Sequence, residues 1–94
     1  MDPKNWKIHN PSGKMRVVVT KDLLGSRWLE ILIEADCRVE VCTSKAVLGV
    51  NEIKEAIGRK CDGVLGQVTE DWNHELFASL RSAGGMVYSN VAVG

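Results

Sequence analysis

Ninety-four residues carry twelve basic and twelve acidic side chains, no formal net charge at neutral pH, and 45% hydrophobic against 26% charged residues. That length allows one domain, close to the lower limit for folding without disulfides or metal, and the balance is globular. A neutral chain with no Lys/Arg stripe argues against nucleic acid, whose affinity comes largely from neutralised phosphates. No apolar run approaches the ~20 residues of a membrane helix, and Met1-Asp-Pro-Lys-Asn-Trp6 has no basic-then-apolar leader pattern.

Met1–Gly13, with Pro3, Asn5, Asn10, Pro11 and Gly13, reads as an irregular lead-in. Arg16-Val-Val-Val-Thr20 follows, and three consecutive valines suggest a strand covered on both faces, as in the middle of a parallel sheet. Gly25-Ser26 offers a helix start, with the Ser26 hydroxyl as acceptor for a first-turn N–H. Trp28, Ile31, Leu32 and Ala35 recur at helical spacing and are expected to face the core. Cys37-Arg-Val-Glu-Val-Cys42 alternates apolar and charged, the pattern of a half-covered edge strand with Arg38 and Glu40 outward.

A second helix is predicted over Asn51–Arg59, with Ile53, Ala56 and Ile57 inward and Gly49 or Asn51 as caps. Gly63-Val-Leu-Gly66 is a short apolar strand. The third helix presents Trp72, Leu76, Phe77, Leu80 and Ala83 on one broad face until Gly84-Gly85 stops it. Met86–Ser89 is a last strand, and Asn90–Gly94 a loop. The order β-α-β-α-β-α-β implies right-handed crossovers and parallel pairing. The expected class is therefore α/β: a flavodoxin-like parallel sheet with helices on both faces, incomplete at about four strands and three helices. The Arg16–Thr20 strand is expected at the centre and the Cys37–Cys42 strand at an edge.

Cys37, Cys42 and Cys61 form an odd set without C-x-x-C spacing. They read as free buried thiols in a reducing compartment rather than as zinc ligands or disulfides. His9 and His74 show no metal-ligand spacing with them and are expected in surface or packing roles. No metal site is predicted.

Ligands of such sheets bind beyond the carboxyl ends of the strands, which selects Lys21–Gly25, Thr43–Lys45, Gly66–Asp71 and Asn90–Gly94. The turn Lys21-Asp-Leu-Leu-Gly-Ser26 lacks the G-x-G-x-x-G dinucleotide fingerprint, and Gly58-Arg59-Lys60 does not make a P-loop. Gly66-Gln67 holds no phosphoacceptor aspartate, and no thiol follows the first strand of the predicted set. Glu70-Asp71 is the only adjacent acidic pair in these places, and is read as a dipole partner of a helix start. The residues alone thus reach a small parallel α/β domain with a ligand edge, and no catalytic residue.

Several stretches nevertheless carry a resemblance. Asn10-Pro-Ser-Gly-Lys-Met-Arg-Val-Val-Val-Thr-Lys21, Gly25-Ser-Arg-Trp28, Cys37-Arg-Val-Glu-Val41, Cys61-Asp-Gly-Val-Leu-Gly-Gln-Val-Thr-Glu-Asp-Trp72, Ser82-Ala-Gly-Gly85 and Ser89-Asn-Val-Ala-Val-Gly94 run in order and at consistent spacing. Together they resemble the opening of plant-type hydroxypyruvate reductases (glycerate dehydrogenases) of the D-2-hydroxyacid dehydrogenase family.

The resemblance implies that residues 1–94 are a partial substrate-binding domain, with the NAD-binding domain absent from this chain. It implies a full-length, homodimeric enzyme that uses NAD(P)H to reduce hydroxypyruvate, and glyoxylate, with a small 2-oxo acid as substrate and no nucleic-acid or membrane partner. Peptide N–H groups of Val93 and Gly94 would hold the substrate carboxylate, and Val68 and Thr69 would line the same pocket. The family's arginine for the keto acid and its His–Glu proton donor match nothing here, so this chain alone is expected to be inactive and to bind no cofactor. Peroxisomal location is implied, with cytoplasm as the alternative, because the family's targeting tripeptide is not among these residues. The alternative function is a stand-alone flavodoxin-like binding or regulatory module without catalysis.

Overall fold

The computed structural model describes residues 5–21, 25–44, 48–67, 73–85 and 87–91. Among them the elements run β1 (Trp6–His9), β2 (Met15–Val19), α1 (Arg27–Glu34), β3 (Cys37–Cys42), α2 (Val50–Ile57), β4 (Gly63–Gln67), α3 (His74–Ser82) and β5 (Val87–Val91). The five strands form one sheet in the order β1-β3-β2-β4-β5. Four of them are parallel, with β2 pairing β3 and β4, and β4 pairing β5. The α/β class, the flavodoxin-like order of the parallel strands and the central place of the valine strand all hold.

Two features of the sheet differ from expectation. The lead-in contains a strand: β1 pairs antiparallel to β3, with Trp6 opposite Cys42 and His9 opposite Val39. It turns back through Asn10, whose φ of 51° lies in the left-handed region that Asn tolerates, and whose side-chain amide donates to the Cys37 carbonyl at 3.1 Å. The Pro/Gly/Asn cluster was therefore a turn between two strands, not a long loop. In consequence β3 is not at an edge. It lies between β1 and β2, and Glu40 is 3% exposed.

Each helix face follows from which side of the sheet it covers. Val18, Cys42 and Val64 point to one side, where Ile53, Ala56 and Ile57 of α2 and Leu76 and Leu80 of α3 bury them. Val19, Val39 and Val41 point to the other, against Trp28, Leu29 and Leu32 of α1. The inward stripe of α1 is thus Trp28, Leu29 and Leu32; Ile31, expected inside, is 50% exposed, and Ala35 is exposed. The periodicity located the helix but not its rotation, because Leu29 and Ile33 extend the apolar surface around it. Ser26 occupies the N-cap position of α1, yet its side chain makes no capping bond.

The second helix begins at Val50 with Gly49 as cap, whose N–H donates to the Glu52 carboxylate at 3.2 Å. Asn51 is inside the helix rather than capping it. For α3, Asn73 is the cap and accepts the Leu76 N–H at 3.1 Å. Leu76, Leu80 and Ala83 are buried as expected, whereas Phe77 is 41% exposed and meets Tyr88 of β5 edge-on at 5.3 Å. Trp72 and the Glu70-Asp71 pair lie outside the described residues. The Gly84-Gly85 stop holds: Gly84 has φ +88°, and a Cβ on Gly85 would fall 2.9 Å from the Leu80 carbonyl oxygen. The last strand runs on through Asn90 and Val91, which the sequence reading assigned to a loop.

Candidate functional site

Parallel strands of one sheet end on the same side, so β2, β3, β4 and β5 deliver the residues that follow them to one edge. After β2, Thr20 is buried and tied across to β4: its N–H donates to the Leu65 carbonyl at 3.0 Å, and its hydroxyl to the same oxygen at 3.3 Å. Its hydroxyl is thereby turned into the sheet rather than toward a ligand. After β3 come Thr43, exposed, and Ser44.

The ends of β4 and β5 are in register: Gly66 pairs with Asn90, and Gln67 with Val91. Val68 and Thr69 continue directly from Gln67, and Val93 and Gly94 follow one residue beyond the end of β5. All four candidate substrate-binding residues lie outside the described residues. What the fold supplies is their root: two adjacent, paired strand ends from which both segments start.

A shallow depression of about 140 Å³ lies elsewhere, lined by Lys7 and His9 of β1, Gly25, Ser26, Trp28 and Leu29 at the start of α1, and Val41 and Thr43. The Trp28 indole N–H donates to the Gly25 carbonyl at 3.0 Å along this wall. In the strand order β2 separates this depression from the β4–β5 ends. His9 takes a place in its lining, and His74 is exposed at the first position of α3.

The three cysteines are buried thiols outside any disulfide, as expected. Burial pushes the thiols of Cys37 and Cys61 up from their ordinary value, which keeps them protonated and poor nucleophiles. Cys61 instead contacts the carbonyls of Gly63, at 3.2 Å, and Arg16, at 3.9 Å. No cluster of His, Cys, Asp or Glu suited to a metal ion occurs among the described residues.

The most developed polar cluster is one that sequence reading missed. Arg16 of β2 donates to both oxygens of Glu40, from Nε at 2.6 Å and Nη2 at 2.9 Å. The same guanidinium donates to the carbonyls of Ala56 at 2.5 Å, Ile57 at 2.7 Å and Lys60 at 2.9 Å. Arg38 adds a bond from its Nε to Glu40 at 3.1 Å. Burial raises the Glu40 carboxyl, but the hydrogen bonds and charge of Arg16, then of Arg38, bring it below the ordinary carboxylate value. The Arg16 guanidinium is in turn raised, chiefly by its bond to Glu40. The available signal was the Arg-x-Glu of β3, but only knowledge that α2 lies over that face of the sheet makes the Glu40 side an interior one. This cluster sits at the amino end of β2, opposite the carboxyl ends of the parallel strands, and ties secondary elements together.

For a dinucleotide, the residues present do not fit. The turn after β2 lacks the glycines that let a pyrophosphate approach a helix N-terminus, so no cofactor contact is derived for this chain.

Comparison with known proteins agrees with the resemblance carried by the residues. The chain is 55% identical over 93 residues to "Glycerate dehydrogenase" of Cucumis sativus and 50% identical over 93 residues to "Glycerate dehydrogenase HPR, peroxisomal" of Arabidopsis thaliana. Each alignment covers 98% of this chain and 24% of the relative, so the chain spans about a quarter of the length of these curated relatives. No family model matches, and no solved structure matches significantly. Along nearly its whole length, the chain is homologous to a segment of the plant glycerate dehydrogenases, the group its own residues resemble.

Proposed function

We propose that this chain is part of the substrate-binding domain of an NAD(P)H-dependent hydroxypyruvate reductase, which forms D-glycerate from hydroxypyruvate and glycolate from glyoxylate. The observation that carries the reading is identity of 50–55% across 93 residues to two proteins named glycerate dehydrogenase. A nicotinamide cofactor, for which these residues offer no site, would supply the hydride from elsewhere in the full-length enzyme.

This chain's share is to hold the 2-oxo acid. Backbone N–H groups of Val93 and Gly94 grip its carboxylate, and Val68 and Thr69 wall the pocket. The pairing of Gln67 with Val91 supports that reading, because both segments start from neighbouring strand ends. A carboxylate needs only peptide N–H donors, so unremarkable side chains suit the task. The name of the Arabidopsis relative supports a peroxisomal setting, and the enzyme is proposed to work as a homodimer.

A chimera tests the proposal: residues 1–94 replace the matching segment of the cucumber relative, and hydroxypyruvate-dependent NADH oxidation is followed. The expected result is a folded, active chimera within roughly tenfold of the parent. In it Gly94→Val should lower kcat/KM about ten- to a hundred-fold, the loss of one charge-assisted hydrogen bond, because a β-branched side chain crowds a close backbone approach. Thr69→Ala should have a smaller effect, and conservative changes at Val93 little. A folded chimera that binds NADH but does not reduce hydroxypyruvate would favour the stand-alone binding module. The 94-residue chain by itself is expected to show neither reductase activity nor saturable NADH binding.

A further inference from the structure

The guanidinium of Arg16 spends its five N–H donors on two different customers. Two bond to the Glu40 carboxylate on β3, and three go to the carbonyls of Ala56, Ile57 and Lys60 at the end of α2 and in the turn after it. The carbonyls of Ala56 and Ile57 would otherwise lack intrahelical partners, as the last carbonyls of any helix do. The side chain of Glu40 is 4% exposed and that of Arg16 21% exposed, so the carboxylate is enclosed while the guanidinium has a way out.

The main chain of Arg16 fastens the same turn. Its N–H donates to the Asp62 carboxylate at 2.8 Å, and its carbonyl accepts the Asp62 N–H at 2.8 Å.

The other charged groups around the pair are already engaged or point away. Arg38 bonds to Glu40 and to the Pro11 carbonyl. Lys60 pairs with Asp62 at 2.6 Å in the turn, and Lys54 of α2 pairs with Glu75 of α3 at 2.6 Å. Glu55 of α2 is also partnered, and Arg59 beyond it is exposed. From β1, Ile8 stands opposite Glu40, while Lys7 and His9 alternate to the far face, where they line the depression beside α1. The Cys61 thiol contacts the Arg16 carbonyl.

We propose that Arg16 and Glu40 form a proton-released latch on the end of α2: when Glu40 takes up a proton, Arg16 swings to solvent and the α2 end with its turn opens as a unit, while the β1–β3–β2 sheet stays paired. The reasoning is electrostatic. A neutral Glu40 leaves the guanidinium without its bidentate counter-charge, and the least costly remedy is to hydrate the partly exposed arginine. That movement withdraws three donors from α2 at once. The sheet has independent support, because β2 and β3 pair along their full lengths and Val19, Val39 and Val41 are packed on the opposite face by α1.

The sign is fixed by the direction in which Glu40 is held. Its carboxyl is lowered in the folded chain, so the latch contributes fully above the unfolded value of about 4.3 and is lost as pH falls through the lower folded value. The inference rests on this geometry and is independent of the reductase reading.

Amide hydrogen exchange of the 94-residue chain between pH 6 and pH 3, corrected for intrinsic rates, tests it. Amides at 53–58 should lose protection by about tenfold or more as pH falls, while those of β2 and β3 change by less than about threefold. Glu40→Gln should show the fast α2 exchange already at pH 6 and lose its pH dependence. Arg16→Lys, which cannot serve both customers, should open α2 at every pH. If Glu40→Gln does not fold, the side-chain carboxyl carbon of Glu40 can be titrated by NMR in the wild-type chain, where its midpoint should coincide with that of α2 exchange. Separate midpoints, unchanged protection in a folded Glu40→Gln, or simultaneous loss of protection in α2 and the sheet would each overturn the latch.

Discussion

The two faces of the sheet are covered by the same kinds of residue to very different depths. On one, α2 buries Ile53, Ala56 and Ile57, and α3 buries Leu76 and Leu80, around Val18, Cys42, Cys61 and Val64. On the other, α1 is the only helix among the described residues: it has no fully buried residue, and exposes Ile31 at 50% and Ile33 at 38%. Val87 of β5, on the α1 side of the sheet by alternation with Tyr88, is 60% exposed. Apolar sequence therefore does not by itself produce a core. Two helices side by side seal each other's flanks as well as the sheet, whereas one helix over the same width leaves its sides in water. Stability should accordingly be concentrated on the α2–α3 face.

Core truncation probes this contrast most strongly. Ile53→Ala removes a fully buried side chain and should cost about 2–5 kcal/mol in urea unfolding. Ile31→Ala on α1 should stay within about 0.5 kcal/mol. Equal losses would mean that α1 is as deeply packed as α2, and would break the comparison.

A second probe concerns close backbone approach. A Cβ at Gly13 would stand 2.4 Å from the Arg38 nitrogen and 2.5 Å from the Cys37 carbonyl carbon, both main-chain atoms that cannot swing aside. Gly13→Ala should destabilise by about 1–3 kcal/mol, the usual cost of overpacking, and loosen the turn that carries β1 onto β3. Full stability in this variant would show that the β1 turn adapts freely.

Helix caps sharpen the comparison at smaller scale. Asn73→Ala deletes a side-chain bond to the Leu76 N–H and should cost about 1 kcal/mol. Ser26→Ala on α1 deletes no capping bond and should change stability by no more than about 0.5 kcal/mol. Thermal unfolding of the two variants side by side measures the difference; a larger loss at Ser26 would reverse the ranking of the two helix starts.

The thiols give the mildest probe, because it needs no substitution. Cys37 and Cys61 are buried with raised pKa values, so at neutral pH a disulfide reagent should modify them far more slowly than a model thiol, and at the full rate in denaturant. Rapid native labelling at Cys61 would place frequent opening on the α2–α3 face and reverse the expected order of the two faces.

Much of this architecture is legible in the order of residues. The valine run of β2, the alternation of β3 and the apolar spacings of α2 and α3 are local patterns with fixed periods, and each reports its element without reference to neighbours. The common carboxyl edge of the parallel strands was legible for the same reason, since parallel strands joined by helices must end together. The proposed carboxylate-binding residues Val68, Thr69, Val93 and Gly94 were reached only through family resemblance. Backbone N–H groups are present at every non-proline position, so no side chain advertises that role.

What tertiary structure alone decided is which side of each element meets protein and which meets water. Trp6–His9 became a strand because β3 offered an open edge to pair with, and the layer of α2 over that face enclosed Glu40, which the alternation had placed outward. Arg16 is 24 residues from Glu40 and 41 from Ile57, and no local period could couple positions so far apart. The rotation of α1 was equally undetermined, because apolar residues surround it and only the sheet chose Trp28, Leu29 and Leu32. Periodicity is a property of the chain; burial is a property of the assembled layers, and it assigned Glu40 of β3 to the interior.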